Sequence, residues 1–188
     1  MSVKHLPPQR NVHAMIYTPA GWISGDFVLS KLHGLLAFLN ASSGFVKLVN
    51  ARFYRSAQKV SFLAIQRDAM TIIVPSETES VAANGRALTR TTTEPVSCIF
   101  DRGMVHGILE VIDQTRVSDF LMQKLNYFPL IDATLAFGSL SEASPRVVPV
   151  AIVNAHQLLA ITHPRIDKPA KAAMPAGREG WDAQTVAM

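Results

Sequence analysis

The sequence predicts a mainly β protein with short helices and a minor α+β character, arranged as two tandem five-stranded small β-barrel or sheet modules that each carry one short helix. Three observations predict it. Sliding the 188-residue chain on itself at an offset of 82 brings Gly21 onto Gly103, Gly25 onto Gly107, Phe38 onto Phe120, Leu39 onto Leu121, Leu48 onto Leu130 and Ala51 onto Ala133. Self-similarity at a fixed spacing is the mark of a repeated structural unit. Within each copy the apolar positions alternate with the two-residue period of a strand, and Pro, Gly and Asn punctuate the runs as turns. The boundaries that follow are a flexible N-terminus over 1–11, a first module over 12–75, a linker over 76–95, a second module over 96–164 and a disordered tail over 165–188.

The elements run in the same order in both copies. A strand near 14–18 turns through Pro19-Ala20-Gly21 into a second over 22–30, with Ile23, Gly25, Phe27 and Leu29 on one face and Val105, Gly107, Leu109 and Val111 as their counterparts. The paired glycines fit a turn followed by a bulge or a close backbone approach. A short helix follows at about 32–40 and again at about 115–124, with Phe38-Leu39 and Phe120-Leu121 on the face that seals the module and Thr115 as the N-cap. Helices this short need tertiary packing to persist. Strand three spans 45–55 and 127–137, and a closing hairpin spans 60–66 with 69–74, and 147–153 with 157–162. Past Tyr54 the offset becomes 87, which pairs Val60 with Val147 and Leu63 with Val150 and places the added residues in the loop Gly138–Pro145. Five short strands with a capping helix suit a small barrel, which removes exposed sheet edges.

The run Ser76–Pro95 is polar and Thr-rich with an Asn84-Gly85 turn, a linker composition, and beyond Pro164 the chain shifts to Ala, Pro, Gly and charge. The longest apolar run, Val147–Ile161, is broken by Asn154, His156 and Gln157 and falls short of the ~20 residues of a spanning helix. No membrane span is expected. Met1–Arg10 lacks the apolar core of a signal peptide, and the lone Cys98 excludes an internal disulfide, so the cytoplasm is the expected location.

Charge divides unevenly. Residues 11–75 carry six basic and two acidic groups, net +4, while residues 96–164 carry four basic and six acidic, net −2. Lys47, Arg52, Arg55 and Lys59 concentrate the positive charge on strand three of the first copy and the loop after it. Such a cluster would serve phosphate binding, and it equally suits a solvated edge strand defended against pairing. The opposite net charges also favour the first copy of one subunit meeting the second copy of another.

Catalytic chemistry is not indicated. The six histidines have no metal-ligand spacing, one cysteine cannot build a thiolate site, and no nucleotide-binding glycine motif occurs, so neither metal nor cofactor is expected. Cys98 aligns with Ile16 in an apolar strand and reads as a core thiol. His106 falls on the outward face of its strand as a surface histidine. Gly21-Trp22-Ile23-Ser24-Gly25 has hairpin rather than nucleophile-elbow spacing. Asp113, Asp119 and Asp132 lie near the second helix, but the first copy has Lys31, Ala37 and Asn50 there, so an acid–base pair would belong to one copy alone. Trp181 stands alone in the tail as an exposed residue.

The repeated pattern G-x-(I/V)-x-G, then (D/A)-F-L, then L-x-(D/N)-A, at Gly21–Ala51 and Gly103–Ala133, resembles uncharacterised bacterial tandem-repeat small-β proteins, and the architecture resembles Sm-like small β-barrels with the helix moved to follow strand two. The Sm-like resemblance implies RNA binding as an alternative function. The residues themselves point first to a non-catalytic scaffold or accessory subunit that binds protein, itself included, through the outward apolar residues Met104, Ile108 and Ile112 and the doubly apolar run Val147–Val153. An enzyme with a site between the copies is the third reading.

Overall fold

Alternating apolar runs, broken every ten residues or so by turn residues, fold into antiparallel strands that pair with their chain neighbours. The computed structural model describes residues 8–31, 33–54, 56, 58–77, 91–112, 115–123, 125–137 and 147–163. The predicted tail, most of the predicted linker, the predicted loop Gly138–Pro145, Arg55 and Asp113 lie outside them. Among the described residues the order is β1 (Gln9–Thr18), β2 (Gly21–Ser30), α1 (Leu35–Ala41), β3 (Phe45–Phe53), β4 (Lys59–Gln66), β5 (Ile72–Pro75), β6 (Thr91–Phe100), β7 (Gly103–Ile112), α2 (Val117–Leu121), β8 (Tyr127–Phe137), β9 (Val147–Asn154) and β10 (Ala160–Thr162).

All ten strands join one open antiparallel sheet in the order β10-β6-β7-β8-β9-β5-β1-β2-β3-β4. This corrects the expectation of closed barrels. The predicted closing hairpins do not form: β4 pairs with β3 and not with β5, β10 pairs with β6 and not with β9, and β5 instead lies against β9, with Ile72 opposite Val153 and Ile73 opposite Ile152. The sheet therefore extends across both halves and ends at β4 and β10.

The hairpins β1–β2 and β6–β7 are longer than their apolar patterns. Gln9 faces Ser30 and Thr91 faces Ile112, because backbone pairing continues past the last buried side chain into the predicted N-terminal segment and linker. Gly21, at φ 112°, makes the first turn possible. In the middle of β2 and β7 the register with β3 and β8 shifts at Gly25 and Gly107. Opposite each shift a residue takes a left-handed conformation, Asn50 at φ 53° and Asp132 at φ 48°. Asn and Asp tolerate that region best, which explains the L-x-(D/N)-A pattern as bulge chemistry.

The helices are shorter than predicted, and α2 is capped by Arg116 without a side-chain bond, not by Thr115. Leu35 and Leu39, four apart on one face of α1, are fully buried, whereas Phe38 and Phe120 are half-buried, edge-on to Phe27 and Phe128. Of the predicted pair Phe38-Leu39, Leu39 seals α1 together with Leu35, while in α2 neither Phe120 nor Leu121 is fully buried and Val117 is the buried residue.

Phe45 faces Gln66 and Tyr127 faces Asn154, so positions 82 apart in β3 and β8 face positions 88 apart in β4 and β9, where the apolar pattern predicts 87. β9 is apolar on both faces because it is an interior strand between β8 and β5, and a strand apolar on both faces leaves a one-residue slip without a hydrophobic signature. Val147–Val153 is accordingly core for most of its length, not the partner surface its composition predicts.

Two apolar cores lie along the sheet and interlock. The first-half core, around Leu35, Leu39 and Ile73, takes in Tyr127 and Ile152, and the second-half core takes in Tyr17, Trp22, Ile72 and Val74. Burying each of these large side chains contributes about 1.5–3 kcal/mol, so the halves stabilise one another.

Candidate functional site

The junction between the halves is dense with side-chain hydrogen bonds. At the end of α1, Asn40 Oδ1 accepts from the backbone N–H groups of Asn126 (3.1 Å) and Tyr127 (2.9 Å), and its Nδ2 donates to the Tyr127 carbonyl (3.0 Å). The fully buried Asn154 donates its backbone N–H to the Thr71 carbonyl (3.0 Å) and its side-chain amide to that of Met70 (2.9 Å). The Tyr127 hydroxyl donates to the Arg67 carbonyl at 2.6 Å. Burial pushes the Tyr127 pKa up, so the phenol stays a neutral donor. Tyr17 stacks obliquely on Phe137 with ring centroids 4.6 Å apart. The cleft left at this junction, beside Tyr17, Thr71 and Arg102, measures about 90 Å³.

The two ends of the sheet are different. At the β10 end a groove of about 880 Å³ opens between α2 and β10, lined by Glu94, Val117, Leu121, Ile161 and His163 among others. Met122, just after α2, and Leu159, just before β10, project into solvent, 82% and 69% exposed. At the β4 end Phe45 is 71% and Phe62 56% exposed. These four side chains are the apolar groups sequence reasoning misses. For Phe45 a signal was available, because it alternates in phase with Lys47 while Val46 and Leu48 turn inward.

Of the predicted interface residues, Met104 and Ile112 are partly exposed at opposite ends of β7 and Ile108 is half-buried between them. His106 and Glu110 alternate with them on the same face, so the three do not form one continuous apolar surface. Of the basic cluster, Arg52 and Lys59 are cross-strand partners and line a cleft of about 430 Å³ with Ser24, Asn50 and Ser61. Arg52 lies 6.0 Å from the Tyr54 ring centre and Lys47 5.7 Å from that of Phe62. β3 is an interior strand, so the edge-defence reading passes to β4 and Lys59.

The polar pairs elsewhere are local. His13 Nδ1 lies 2.6 Å from Asp26 Oδ1, and Asn50 donates to Asp26 Oδ2 at 2.9 Å. Partial burial opposes ionisation of Asp26, but the bonds from Asn50 and His13 together with the His13 charge outweigh it and hold the carboxyl below its usual value. His106 and Ser97 lie 2.7 Å apart. Cys98 is buried, its thiol pushed up to about 12 by desolvation, which makes it a core residue rather than a nucleophile. Among the described residues no group of three or more His, Cys, Asp or Glu gathers to hold a metal, and no helix is long and apolar enough to cross a membrane. No family model matches the chain, and searches of curated proteins and of solved structures give no match.

Proposed function

We propose that this chain is a non-catalytic, cytoplasmic β protein that works by binding protein, as a homo-oligomeric scaffold or accessory subunit, and that its two halves are diverged copies of one five-stranded module. The observation that carries the binding role is the placement of Phe45, Phe62, Met122 and Leu159, large apolar side chains left in solvent at the two ends of the sheet. The duplication draws support from the shared relative order, β5-β1-β2-β3-β4 and β10-β6-β7-β8-β9, and from the bulges at Gly25 and Gly107. The side-chain-filled junction supports a structural rather than a catalytic contact between the halves. Light scattering across a concentration series, paired with quantitative capture on the full chain, tests the role. A particle of 20.5 kDa at every concentration that also retains no protein partner would end it.

A second reading, nucleic-acid binding in keeping with the Sm-like resemblance, is favoured by the Arg52–Lys59 pair beside Tyr54, since guanidinium and aromatic groups together bind backbone and base. It predicts single-stranded RNA binding that weakens steeply with salt and is lost in Arg52→Ala/Lys59→Ala.

A further inference from the structure

We propose that the β10–α2 end of one molecule docks on the β3–β4 end of a second copy of this chain, repeating between molecules the β5–β9 junction that each makes within itself. This deepens the scaffold reading and rests on it and on the duplication.

The argument compares each junction residue with its counterpart in the other half, using the offsets of 82 and 88 residues that the strand pairing sets. In the first half, Leu35, Leu39 and Ile73 form a core that receives Tyr127 and Ile152 from the second. Their counterparts Val117, Leu121 and Ile161 line the 880 Å³ groove between α2 and β10. The counterparts of the two inserted residues are Phe45 and Ala64, both exposed at the opposite end of the sheet. Tyr127 is 1% exposed where Phe45 is 71% exposed.

The same contrast recurs around the contact. Asn40, which clamps Tyr127, corresponds to Met122. Thr71, buried where its carbonyl accepts from Asn154, corresponds to Leu159. Trp22, buried at the junction, corresponds to the partly exposed Met104. Residues that the internal junction covers are thus matched, on the uncovered ends, by apolar residues in solvent.

Among the described residues both outer strands also have unpaired backbone edges, since β10 pairs only with β6 and β4 only with β3. Carrying over the internal register sets Ala160 opposite Ile65 and Ile161 opposite Ala64. The −2 charge of the second half meets the +4 of the first, which favours this orientation over like against like. The contact is heterologous, so it builds a ring where the rotation closes.

The test uses the full-length chain with Phe45→Glu on one end and Leu159→Glu on the other, both at exposed sites, with circular dichroism checking that each variant keeps the fold. Light scattering should find the wild type well above 20.5 kDa and each variant alone at that mass. An equimolar mixture should return a one-to-one dimer, because each variant keeps the end the other has lost. A wild type that is monomeric throughout, variants that still assemble, or a mixture that stays monomeric would each overturn the edge pairing. Assembly that survives both variants overturns it while leaving the scaffold reading standing. That reading falls only with a monomer that also captures no partner.

Discussion

Replacing Asn40 with alanine removes three hydrogen bonds that tie the end of α1 to the start of β8: two accepted from Asn126 and Tyr127 N–H, one donated to the Tyr127 carbonyl. A typical internal hydrogen bond contributes about 1 kcal/mol net, and a stranded buried partner costs about 1–3 kcal/mol. The site is half-buried, so water admitted by alanine re-satisfies part of what is lost. The expected loss is about 2–3 kcal/mol, a large part of a typical stability of about 5–15 kcal/mol. Asn40→Asp keeps both acceptor bonds and loses the donated one, so it should fall between wild type and alanine. Urea denaturation followed by circular dichroism measures the loss as a lower midpoint at unchanged slope. A change for Asn40→Ala within about 0.5 kcal/mol, the range of an ordinary surface substitution, would refute the clamp.

Leu39→Ala, at a fully buried site, should cost about 2–5 kcal/mol, and Phe38→Ala, half-buried, clearly less; thermal melts that reverse this ranking would return the sealing role to the phenylalanine. A Cβ at Gly107 would lie 3.0 Å from Leu130 Cβ and 3.1 Å from the Ile131 carbonyl, whereas at Gly25 it meets nothing nearer than 3.4 Å. Gly107→Ala should therefore lose about 1–3 kcal/mol from overpacking and Gly25→Ala less, with equal losses counting against the asymmetry. Because the Asp26 carboxyl titrates below its ordinary 3.8 in the folded chain, its contribution is fully present above that pH and is lost as pH falls through the lowered value. Asp26→Asn should remove this part of the acid sensitivity, which midpoints at near-neutral and acid pH will reveal as a smaller difference than in wild type.

Local structure was legible because the forces that set it act over a few residues. β8 occupies Tyr127–Phe137, the bounds its alternation predicts, and the glycine spacing announced the bulges, with Asn50 and Asp132 as their left-handed partners. Helix ends and the long hairpins were less legible, since Gln9–Asn11 and Thr91–Glu94 belong to strands through backbone pairing that polar side chains do not reveal. Charge division and the lack of metal or nucleotide motifs are likewise properties of the chain alone. The choice of strand neighbour is not. Main-chain hydrogen bonds are nearly blind to side-chain identity, so alternation cannot say whether β5 closes on β4 or passes to β9. The interlocking of Tyr127 and Ile152 with Leu35, Leu39 and Ile73 decides it, a packing of residues more than fifty positions apart in the chain. The same choice decides which apolar residues stay in water. Ile152 is covered and Phe45 is not because one end of each half meets the other half and the remaining end meets solvent.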